Sequence, residues 1–139
     1  MDEEIKSDLH RIINHSVDMA EKLLGQQQGE FYPFGAAIEI SGELKNIAYW
    51  AGEEHPVSTS VIEGLRNAFK ERVVRKEVRS YAITYDALVR PEPHLEKCDT
   101  VTIDYFDTRN GQLALYYYPY KLDEDFNVVF GEPWAALAT

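Results

Sequence analysis

The segment Thr100-Val101-Thr102-Ile103-Asp104-Tyr105, the dipeptide Asn110-Gly111 and the run Gln112-Leu113-Ala114-Leu115-Tyr116-Tyr117-Tyr118-Pro119-Tyr120 decide the fold of this chain. In the first segment β-branched and aromatic residues alternate with polar ones. A period of two belongs to a strand, because successive side chains leave opposite faces of the pleat. Asn-Gly is the strongest short hairpin signal, since both residues tolerate the positive φ of a tight turn. Strands joined by so short a turn are antiparallel, and so is the sheet that contains them.

Working outward, Tyr81, Ile83, Tyr85, Ala87 and Val89 alternate with Ser80, Ala82, Thr84, Asp86 and Leu88 and predict another strand. Pro91 and Pro93 end it in a loop. Phe34–Ile40 and Leu44–Trp50, on either side of the Ser41-Gly42 turn, form a second hairpin. A last short strand covers Asn127–Phe130. Ile5, Leu9, Ile12, Ile13, Ser16, Ala20, Leu23 and Leu24 recur at helical spacing. Acidic residues lead that helix in, and Gly25 to Gly29 lead it out. Val61, Ile62, Leu65, Ala68, Phe69 and Val73 mark a second helix, with Ser60 and Glu63 spaced as a capping box.

The order helix, hairpin, helix, strands reads as one α+β domain spanning residues 1–139. It predicts an antiparallel sheet of about five to six strands, with two amphipathic helices on one face and a threonine-rich face open to water. The tyrosine-rich strand is apolar on both sides, which suggests that a second subunit covers it.

The net charge is −10, from 24 acidic and 14 basic residues. Such a surface repels nucleic-acid phosphates and anionic membranes, and steers a basic partner inward. The single cysteine, Cys98, excludes an intrachain disulfide. Met1-Asp2-Glu3-Glu4 lacks the basic start and apolar core of a secretory signal. Both features point to the cytoplasm.

Metal, cofactor and nucleophile motifs fail on spacing. His10 and His15 point about 140° apart on a helix. His94 and Cys98, with Asp99, lack the further ligands zinc needs. The acidic run Asp123 to Asn127 has Val128 where a calcium loop needs glycine and Trp134 where it needs a bidentate glutamate. Neither a phosphate loop nor a Gly-x-Ser-x-Gly elbow occurs. Asp86 and Asp104 sit on the polar faces of adjacent predicted strands, where paired carboxylates do acid–base work only if burial tunes them. Lys70, Arg72, Arg75, Lys76 and Arg79 gather at the end of the second helix, where they complement its dipole.

Aromatic residues are the unusual feature. They concentrate in Phe31-Tyr32-Pro33-Phe34 and Tyr116-Tyr117-Tyr118-Pro119-Tyr120. Phe31, Tyr32, Phe34, Tyr116, Tyr118, Tyr120 and Trp134 are the candidate interface residues, with plain core packing as the alternative.

The string Glu30-Phe31-Tyr32-Pro33-Phe34-Gly35-Ala36-Ala37, with His55-Pro56-Val57-Ser58, Tyr118-Pro119-Tyr120 and Phe130-Gly131-Glu132-Pro133, is similar to segments of small bacterial proteins of no known activity. The element order also resembles the roadblock and profilin-like arrangement, whose domains dimerise and dock partners. The chain departs from the roadblock pattern by ending in a strand and a short Pro133-Trp134 tail instead of a helix.

The expectation is a non-enzymatic interaction protein, working as a homodimer or on a basic partner, with no cofactor. One form is an immunity protein that masks a toxin's basic site. The other class is an enzyme or small-molecule binder whose pocket forms only in three dimensions, with His55, Glu54, Asp86 and Asp104 as its residues.

Overall fold

A computed structural model describes residues 3–27, 29–48 and 57–137. The elements run α1 (Glu3–Gln26), β1 (Phe34–Glu39), β2 (Leu44–Ile47), α2 (Ser58–Val74), β3 (Val78–Val89), β4 (Cys98–Asp107), β5 (Gln112–Leu122), β6 (Val128–Phe130) and β7 (Trp134–Leu137). Trp50, Glu54 and His55 lie outside the described residues.

The strands form one antiparallel sheet in the order β2-β1-β3-β4-β5-β6, with β7 also on β5. The fold is α+β, as expected, and among the described residues the sheet has seven strands, slightly more than expected. The Asn110-Gly111 hairpin is present: Asp107 faces Gln112, and Gly111 takes a φ of 66°. The extra strand is β7. Trp134, read from sequence as part of a tail, faces Tyr117 across the β5–β7 ladder.

The helices do not share a face, and here the structure corrects the expectation. α1 packs on Ala36, Ile38, Ala82, Val101, Ile103 and Tyr105. α2 packs on Ala37, Tyr81 and Ile83, with Phe106 at the edge. These sets alternate along the strands, so each belongs to its own side of the sheet. The reason lies in β3: both of its faces bury side chains, including Ser80, Ala82 and Thr84 opposite the α2 cluster. Small and hydroxylated residues leave room for a helix, and the face they form is no less dry than the aliphatic one. Thr100 and Thr102 are buried as well, and Thr100 Oγ1 contacts Thr102 Oγ1 at 2.6 Å.

Local chemistry explains the junctions. α2 starts at Ser58 after Val57, and no side chain caps it, so the expected Ser60 capping box is absent. At its other end Glu77 N–H bonds Arg72 C=O and Lys76 N–H bonds Val73 C=O, both at 3.0 Å. This is a Schellman closure with a lysine, at φ 58°, in the left-handed position that glycine usually fills. Gly35 is needed for contact: a Cβ there would stand 2.7 Å from the Phe69 ring. That ring stacks on Tyr81, with centroids 4.5 Å apart.

Between β1 and β3 the register steps from Ile38 opposite Ser80 to Glu39 opposite Val78, leaving Arg79 as a bulge residue. The bulge lets Val78 join the α2 core while Arg79 reaches α1, where its Nε lies 2.9 Å from Asp8 Oδ2.

Candidate functional site

Among the described residues, Asp8 with Asp107, Asp104 and Asp86 mark three groups of buried or half-buried charge, each with its own degree of compensation.

The first is between α1 and the β4–β5 turn. Asp8 sits in the apolar stripe of α1 at fourfold spacing with Ile12, Ser16, Ala20 and Leu24, and is buried like them. Arg109 Nη2 bonds Asp8 Oδ2 at 2.8 Å and Asp107 Oδ2 at 2.7 Å. The Tyr105 hydroxyl donates to Asp107 at 3.0 Å. Burial pushes the Asp107 carboxyl up, but the Arg109 guanidinium and backbone N–H and the Tyr105 hydroxyl outweigh it, so the group lies below its ordinary value. Each carboxylate here has an arginine, and the cluster pins α1 to the sheet.

The second surrounds Asp104, on the α2 face. Tyr85 hydroxyl donates to Oδ1 at 2.9 Å, and Arg66 Nη2 donates to Oδ2 at 2.5 Å. Both oxygens of this buried carboxylate are therefore matched.

The third surrounds Asp86. It lies on the opposite face, where β3 passes Val101, and accepts a 2.7 Å hydrogen bond from Tyr120 hydroxyl. Gln27, Glu30, Phe31, Tyr32 and Ser58 complete a cleft of about 460 Å³ around it. Burial raises the Asp86 carboxyl from its ordinary value; Tyr120 opposes this, and the charges of Asp99 and Glu30 add to it. Burial and the same bond push the Tyr120 hydroxyl up, so it stays a donor. Among the described residues no lysine or arginine forms an ion pair with Asp86 or Glu30. A larger, more open depression of about 590 Å³ is lined by Asp18, Glu21, Lys22 and Phe126, among others.

The expected interface residues divide. Phe31 and Tyr120 are buried, and Phe34, Tyr116 and Tyr118 are half-buried against the α1 core. Tyr32 is 44% exposed, at the cleft. Trp134 stacks on Tyr117 at 5.0 Å, on the other side of the sheet. The carboxylate pair does not form: Asp104 opposes Ile83 while Asp86, three residues further along β3, opposes Val101, and the odd spacing puts them on different faces. Asp123 spends its oxygens on its own turn, accepting the backbone N–H of Asp125 and of Asn127 at 2.9 Å. Among the described residues no three His, Cys, Asp or Glu side chains converge on a metal-sized site, and no helix is long and apolar enough to cross a membrane.

Asp8, Arg66 and Arg109 escaped the sequence reading. Asp8 had a signal, a charge within an apolar helical stripe; the arginines had none, because their partners are remote in sequence.

Comparison of the chain with protein-family models, with curated proteins and with solved structures finds no match.

Proposed function

We propose that this protein is a non-enzymatic binding protein that receives a basic side chain of a protein partner in the cleft around Asp86. One observation carries the reading. Among the described residues Asp86 is a partly buried carboxylate held by a single neutral hydroxyl, with two further acids raising its cost and no lysine or arginine paired with it. A guanidinium or ammonium entering the cleft supplies that charge, and Phe31 and Tyr32 offer it aromatic walls. The net charge of −10 steers such a partner to the surface. A toxin-neutralising immunity protein is the biological form that suits these properties, since it masks a basic site.

Self-association through the backbone of β5 has little support, because β4 lies on one side of that strand and β6 and β7 on the other.

The test is a calorimetric titration with hexa-arginine. Asp86→Asn should weaken binding at least tenfold, about 1.4 kcal/mol, while Asp18→Asn, at a position that does not line the cleft, changes it less than twofold. Equal losses would reduce the effect to general attraction between opposite charges and end the proposal.

A further inference from the structure

α2 covers only part of its face of the sheet. Beside it, over β4 and β5, runs a groove of about 380 Å³ lined by Arg66, Lys70, Tyr81, Asp104, Leu113 and Leu115, among others. Leu113 and Leu115 share one side of β5 and make an apolar floor. Arg66 and Lys70, one turn apart, project from the same side of α2 and form the wall. Asp104 neutralises one of these two cations and, through its bond, holds Arg66 in place. Lys70 has no ion pair among the described residues, so the groove keeps one positive charge.

The groove also offers a hydroxyl donor. Tyr81 is only 8% exposed, lines the groove, and its hydroxyl has no hydrogen-bond partner among the described residues. The hydroxyl oxygen opens to the groove and is free to donate to an acceptor that enters it.

We infer that this groove is a binding site for a small organic monoanion with an apolar body, separate from the Asp86 cleft. The anionic head sits between Lys70, the unused N–H groups of Arg66 and the Tyr81 hydroxyl, and the body lies on Leu113 and Leu115. Inorganic anions lack the body and gain nothing from the floor. Cationic amphiphiles meet Lys70 and are repelled. Burial raises the Tyr81 hydroxyl above its ordinary value, so it remains a donor across the neutral range.

The probe is 8-anilinonaphthalene-1-sulfonate, followed by fluorescence on the folded, full-length chain. The wild type should show one saturable site, displaced by benzenesulfonate and not by equal concentrations of sulfate. Lys70→Glu, at an exposed position, should weaken binding at least tenfold. Tyr81→Phe, which removes only the oxygen, should weaken it about threefold or more. Lys121→Glu, distant from the groove, should stay within twofold of wild type. Absence of saturation, equal displacement by sulfate, or wild-type affinity in Lys70→Glu would each overturn the inference. Circular dichroism of each variant verifies that it is folded.

Discussion

The carboxylates of Asp86 and Asp104 leave opposite faces of the sheet although they belong to neighbouring strands. Their surroundings differ as much as their directions. Among the described residues Asp104 has an arginine and a tyrosine hydroxyl, whereas Asp86 has a hydroxyl alone. Among those residues one carboxylate is balanced by a cation, and the other is not.

Neutralising them should therefore have opposite effects. Asp86→Asn keeps the bond from Tyr120 and removes a carboxylate that burial disfavours, so its urea midpoint should equal or exceed that of wild type. Asp104→Asn forfeits a charge-assisted bond to Arg66 and should lose about 1–3 kcal/mol. A drop for Asp86→Asn as large as for Asp104→Asn would contradict this account of both sites.

Binding at the Asp86 cleft should depend on pH. The folded, unbound carboxyl titrates above its ordinary value of about 3.9. A cation favours the ionised form, so affinity for hexa-arginine should fall as pH drops through that raised value. In Asp86→Asn the corresponding part of the dependence should vanish.

The Asp107 cluster should set acid stability. Its folded carboxyl titrates below the unfolded one, so the unfolded chain binds more protons in acid. The stabilisation is full above the unfolded value near pH 4 and is lost as pH falls through the folded value. Arg109→Ala leaves Asp107 and Asp8 buried with less compensation and should cost about 3–5 kcal/mol at neutral pH. Denaturation at pH 7 and at pH 3 should show that gap narrowing in acid; a constant gap would mean that Arg109 acts through packing alone.

Gly35→Ala should drive a methyl group into the Phe69 ring, which would lie 2.7 Å from it. A loss of about 1–3 kcal/mol is expected. Pairing it with Phe69→Leu, which frees the space, should give a double mutant more stable than the sum of the single losses predicts. Strict additivity would show that the contact is not the cause.

Lys76→Gly should stabilise the chain by about 0.5–1 kcal/mol, since glycine adopts the left-handed position without the Cβ penalty. Thermal melts of the two proteins decide it, and a lower melting temperature for the variant would show that the lysine side chain contributes more than its backbone costs.

Local patterns in the sequence determined the element types. Alternation in Tyr81–Val89 and Val101–Tyr105, the Asn110-Gly111 turn and the fourfold stripe of α1 each depend on residues close in the chain, so strands, hairpin and helices were legible along with the antiparallel class. β7 was not, because Trp134–Leu137 is too short for a pattern and exists by pairing with β5. Which face each helix covers was decided only by the tertiary structure. A period of two says that side chains alternate, yet it cannot say whether threonines and serines meet water or a helix, and here they are buried. Register decided the rest: it separated Asp86 from Asp104, and the bulge at Arg79 turned that side chain to Asp8. Compensation of a buried charge is a property of groups far apart in sequence and close in space, which is why the candidate sites emerge from the fold.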